Sequence, residues 1–187
     1  MLNIDTTTML IELTRGDTAS IVFSAKDKEG RTYLPGVGDV LKFAVAKKVG
    51  ADPIFEIANP LSSLPTTYEQ ITLTEDEFNL EKTRFYTESG GVYTNCTNAS
   101  VYDSNETYYI LDYSGFWTIT IGGNNEWYEK DADGQLVYDG DKPIDLFKFK
   151  DYAYDVQLKT STGVDTIIGK TDDISPTFRV LGEVATE

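Results

Sequence analysis

The stretch Asp151-Tyr152-Ala153-Tyr154-Asp155-Val156-Gln157-Leu158-Lys159-Thr160-Ser161-Thr162-Gly163-Val164-Asp165-Thr166-Ile167-Ile168 decides the fold. Tyr152, Tyr154, Val156 and Leu158 alternate with Ala153, Asp155, Gln157 and Lys159. That is the two-residue period of a half-buried strand. Thr160-Ser161-Thr162-Gly163 supplies turn chemistry, and Val164 to Ile168 is rich in β-branched residues. The spacing predicts a hairpin of 152–159 against 164–170.

The same period recurs on both sides of this stretch. Ala19, Ile21, Phe23 and Ala25 share one face; so do Leu41, Phe43 and Val45, then Trp117, Ile119 and Ile121, then Phe178 and Val180. Lys28-Glu29-Gly30 reads as a further turn, and Pro35, Gly36 and Gly38 as a loop before the strand at 40–46. Helical signal is sparse. Thr74 and Glu77 have capping-box spacing and predict one or two turns near 75–80. Many short strands separated by Gly/Pro turns predict an all-β fold, an antiparallel immunoglobulin-like β-sandwich with a small β-rich insertion.

The insertion is marked by composition. Residues 61–112 are rich in Thr, Tyr, Ser and Asn, and Gly90-Gly91 between Tyr86 and Tyr93 has the form of a two-residue hairpin turn. The expectation is a discontinuous sandwich of 1–60 and 113–187, interrupted by a three-stranded insertion at 61–112.

Charge and missing residue types exclude whole classes of function. The 187 residues carry 31 Asp+Glu against 16 Lys+Arg, a net charge of −15, and no histidine. Imidazole catalysis and imidazole metal sites are therefore ruled out. The acidic balance argues against nucleic-acid binding, whose footprint is a basic face. No run of about 18 apolar residues suits a membrane span. Met1-Leu2-Asn3-Ile4-Asp5 has neither the basic nor the apolar region of a signal peptide, so cytoplasmic synthesis is expected. Cys96 is the single cysteine and has no internal disulfide partner. Three Asn-x-Ser/Thr triplets, at Asn95, Asn98 and Asn105, read as turn residues in the absence of a secretory route.

Two segments read together resemble a known family. The first holds Leu13-Thr14-Arg15-Gly16-Asp17-Thr18, Phe23, Asp27-Lys28-Glu29-Gly30, Gly38-Asp39-Val40 and Phe43-Ala44-Val45. The second holds Phe149-Lys150-Asp151-Tyr152-Ala153-Tyr154-Asp155-Val156-Gln157-Leu158, Gly163, Thr166-Ile167-Ile168 and Phe178-Arg179-Val180. Their order and spacing resemble the N-terminal domain of baseplate upper proteins from tailed phages of Gram-positive bacteria. The insertion, with its Phe85-Tyr86-Thr87 and Thr107-Tyr108-Tyr109 strands, is similar to Tyr-rich modules of virion structural proteins. The resemblance implies a non-enzymatic virion or prophage tail component, located in the virion. Its expected partners are other tail proteins or further copies of itself.

Four sets of residues are candidates for particular roles. Arg15-Gly16-Asp17 reads as a structural turn, with Gly16 at positive φ or in a bulge, Asp17 accepting backbone N–H groups and Arg15 paired to a carboxylate such as Asp39 or Asp155. Asp155, opposite Tyr154 on its strand, reads as a structural acceptor. Asp131, Asp133, Asp139 and Asp141 alternate on a Gly-containing loop, and such carboxylates can wrap Ca²⁺ at about 2.3–2.6 Å. An EF-hand would need glycine and glutamate where Leu136 and Lys142 stand, so the choice is between an irregular cation site and a solvated hairpin. Tyr86, Tyr93, Tyr102, Tyr108 and Tyr109 form the last set. They predict a stacking surface for a host polysaccharide or a protein partner, which gives a second functional expectation, a carbohydrate-recognition module. No motif calls for a cofactor.

Overall fold

A computed structural model describes residues 2–25, 33–122, 127–148, 150–169 and 174–182. The chain forms two compact units. The first comprises Met1–Ser62 with Phe116–Glu187, the second Ser63–Gly115. The turn expected at 28–30 lies outside the described residues.

The first unit is built from β1 (Leu2–Asp5), β2 (Leu10–Thr14), β3 (Ala19–Val22), β4 (Val40–Ala46) and β5 (Pro53–Pro60) before the second unit. After it come β10 (Thr118–Ile121), β11 (Tyr138–Asp139), β12 (Lys142–Pro143), β13 (Asp151–Lys159), β14 (Val164–Ile168) and β15 (Thr177–Leu181). Seven of these strands make one sheet in the order β1-β2-β15-β13-β4-β5, with β14 also paired to β13. β13 is its axis, running antiparallel to β4 from Ala153↔Ala46 to Lys159↔Val40. The opening hairpin is present as β13–β14, with Lys159 opposite Val164 and a register shift at Val156/Gln157. Among the described residues the strand pairs are antiparallel except for one: β15 runs parallel to β2, Val180 lying opposite Leu13.

Alternation along each strand sets the core. Tyr152, Tyr154, Val156 and Leu158 are buried, as are Leu41, Phe43, Val45, Ile11, Leu13, Phe178 and Val180. The ribbon β3–β10 buries Ala19, Ile21, Ile119 and Ile121. Phe23, just after β3, meets Phe43 at 6.2 Å between ring centroids, which lays the ribbon over the inner face of the large sheet. Phe43 also packs on Phe55, Tyr154 and Phe178. Phe147 extends the aromatic core to Trp127 and Tyr152.

The second unit contains β6 (Tyr68–Ile71), α1 (Glu75–Glu81), a 3₁₀ turn (Lys82–Arg84), β7 (Tyr86–Ser89), β8 (Val92–Asn95) and β9 (Tyr108–Leu111). Its sheet has four strands in the order β6-β9-β7-β8, one more than the sequence predicts, the addition being β6. Thr74 and Glu77 form the expected reciprocal capping box on α1. β7 and β8 join through Gly90-Gly91. α1 lays Phe78 against Phe85, Cys96 and Tyr108, which form the unit's own core. A one-turn helix, α2 (Ser114–Trp117), carries the chain from one unit to the other. Among the described residues, no helix is long and apolar enough to cross a membrane.

Candidate functional site

The five candidate tyrosines do not form one surface. Strand alternation sends Tyr86, Tyr93 and Tyr109 to one face of the four-stranded sheet and Tyr108 to the other, where Tyr102 joins it from the loop before β9. Tyr108 is 4 % exposed in the core, where Phe78 lies 5.0 Å from its ring. Tyr102 packs beside it, 5.8 Å away and nearly parallel. Both hydroxyls are committed: Tyr102 donates to the Leu73 carbonyl and Tyr108 accepts the Asp103 N–H. Burial pushes the Tyr108 phenol and the Cys96 thiol above their ordinary pKa values. These residues hold the unit together, and the shared-surface expectation is corrected to that extent.

Tyr86, Tyr93 and Tyr109 occupy the other face, and a residue not anticipated from the sequence joins them. Tyr68, on β6, stacks on Tyr93 with centroids 3.9 Å apart and planes 8° apart. Tyr68 also meets Tyr86 edge-on at 5.0 Å, and Tyr93 meets Tyr109 edge-on at 5.1 Å. Cross-strand register accounts for the cluster, since Tyr86 pairs with Tyr109 and Tyr109 with Gln70. Tyr93 is 36 % exposed and the others are partly exposed. Glu88, opposite Tyr93, and Gln70 add a carboxylate and a carboxamide to this face. Partly exposed rings beside such groups can stack on the apolar face of a sugar and bond its hydroxyls. Tyr68 carried only a weak signal, because Tyr68–Ile71 is too short for a period to emerge.

Arg15-Gly16-Asp17 is a turn fixed on every side. Gly16 has φ +89°, a conformation that suits glycine. The Asp17 N–H donates to the Thr14 carbonyl at 3.1 Å, and the Arg15 N–H to the Leu181 carbonyl at 3.0 Å. The Arg15 guanidinium pairs with a carboxylate, that of Asp145 and not the suggested Asp39 or Asp155. Asp39 is instead buried, accepting from the Tyr33 hydroxyl and the Gly36 N–H. Asp155 accepts from Gln157 Nε2 at 2.9 Å. Trp127 Nε1 donates to the Asp17 carbonyl at 3.0 Å, across a gap that only glycine permits at residue 122. A Cβ on Gly122 would stand 2.3 Å from that carbonyl oxygen and 2.7 Å from Trp127 Nε1.

The acidic loop is not gathered around a centre. Asp131 Oδ1 accepts the backbone N–H groups of Asp133 and Gln135, both at 2.9 Å. Asp139 and Asp141 belong to the separate β11–β12 hairpin, where Asp139 pairs with Lys142. Among the described residues, no three acidic or thiol side chains are placed to hold a metal ion. Of the two readings of Asp131, Asp133, Asp139 and Asp141, the described geometry is the hairpin one, a self-capped turn beside a hairpin that gathers no Ca²⁺ ligand set.

Comparisons with family models, curated proteins and solved structures gave no match.

Proposed function

We propose that the chain is a non-enzymatic structural protein of a tailed phage or prophage, a baseplate component that docks on other tail proteins through its first unit. The observation that supports this reading is the pairing of the two segments that resemble baseplate upper proteins. They lie more than 100 residues apart in the chain, yet β2 pairs with β15 and β4 with β13 inside one sheet. The resembling residues thus compose one structural unit. Sheet edges at β1 and β5 offer a partner backbone groups for strand addition. Mixing the purified chain with the tail proteins encoded beside it, and following sedimentation, tests the reading. The expected result is a complex of fixed stoichiometry; a chain that sediments alone at every ratio opposes it.

A second reading rests on the Tyr68, Tyr86, Tyr93 and Tyr109 face, namely recognition of a host surface polysaccharide. Titration of tyrosine fluorescence with cell-wall polysaccharide is expected to saturate. Tyr93→Ala is expected to weaken binding about tenfold, the loss of one stacked ring. An unchanged signal with every polysaccharide removes this reading.

A further inference from the structure

The face of the large sheet opposite its core carries a cavity of about 340 Å³ where β4 and β13 run side by side. Ala44, Ala46, Ala153, Pro53 and Pro176 line it with small apolar surface. One charged group in the lining is incompletely satisfied. Asp155 Oδ2 accepts from Gln157 Nε2, whereas Oδ1 is buried and has no hydrogen-bond partner. Buried carboxylate oxygens normally have one, and an exception calls for a physical reason. A donor arriving from another molecule would supply the missing bond.

The chemistry of the lining selects that donor. A guanidinium binds a carboxylate best through both oxygens, and here Gln157 already occupies one. An ammonium is a compact point charge that can serve a single oxygen. Its alkyl stem can lie along alanine and proline surface, as lysine stems commonly do. The net charge of −15 favours approach of a basic partner. We propose that this cavity receives a lysine side chain of a partner protein, whose ammonium donates to Asp155 Oδ1. Oδ1 is covered, so admission requires rearrangement of the side chains around it. The site stands independently of the virion reading, since it concerns the chemistry of the contact and not the identity of the partner.

The test is an amide NMR titration of the full chain with Nα-acetyl-lysine N-methylamide. Saturable shifts centred on Ala44, Ala153 and Asp155 are expected. The same probe acetylated on its side chain is expected to give none, and the arginine analogue to bind more weakly. Asp155→Asn keeps the shape and changes the net charge by one unit, so a loss of about tenfold assigns the binding to this carboxylate. Equal shifts from the acetylated probe, which needs no variant to interpret, would overturn the proposal. So would undiminished binding in Asp155→Asn.

Discussion

At the scale of single residues, the molecule depends on a few places where one atom more or less decides the packing. Gly122 is the sharpest. Its φ is +85° and an added Cβ would overlap backbone at Asp17. Gly122→Ala is expected to destabilise the first unit by about 2 kcal/mol or more, through overpacking and loss of the Trp127–Asp17 bond. Chemical denaturation followed by tryptophan fluorescence checks this. Phe43 is fully buried at the centre of the aromatic core, and Phe43→Ala is expected to cost about 3–5 kcal/mol in the same assay. The turn chemistry of Arg15-Gly16-Asp17 was legible because it is local. Its partner Asp145 was not, because it lies 130 positions away and only the fold brings it near. The same limit hid Gly122 and Trp127, whose roles exist only once β10 has placed them beside residue 17.

At the scale of elements, β4, β10, β13 and β15 were readable from their buried faces and β14 from the turn before it, whereas the edge strands β1 and β5 were not. β4, β10, β13 and β15 alternate because one side faces the core. β5 begins and ends with proline and buries only Phe55, as an edge strand can. β1 buries none of its residues, and at four residues its alternation of Leu2 and Ile4 with Asn3 and Asp5 is too short to stand out. What holds this edge is polar. Asn3, Glu12, Arg179 and Asp151 lie in register across β1, β2, β15 and β13. Arg179 donates to both oxygens of Asp151, at 2.6 and 2.9 Å, and to Glu12 at 3.0 Å. The bond from Asn3, then that from Arg179, holds the Glu12 carboxyl below its usual range; the bonds from Arg179 do the same for Asp151. A carboxyl with a lowered folded pKa adds stability at neutral pH, which is lost as pH falls through the ordinary carboxylate range towards the folded value. Melting temperature is therefore expected to drop below about pH 4, and to drop less steeply in Arg179→Met. An identical acid profile in the variant contradicts this assignment. In the second unit, Thr74→Ala removes the capping box and is expected to cost about 1 kcal/mol, read from thermal melts by circular dichroism.

At the scale of the whole molecule, aromatic residues connect fold and function. They form the core of each unit, and four of the twelve tyrosines form the partly exposed face of the second. The tyrosine-rich composition announced such a surface, but the division between core and face needed the strand register, which turned Tyr108 inward, and the loop packing that set Tyr102 beside it. Burial raises the Tyr154 phenol to about 12; burial and then its bond to Asp39 do the same for Tyr33. The unfolded chain ionises these groups first, so stability is expected to fall as pH rises above about 10. The central proposal, however, concerns assembly, and the most direct measurement is quantitative mass spectrometry of gradient-purified virions induced from the strain that encodes the chain. The account predicts the chain at fixed stoichiometry with the tail proteins, retained when tails are separated from heads. Its absence from purified tails, while abundant in the lysate, would contradict it.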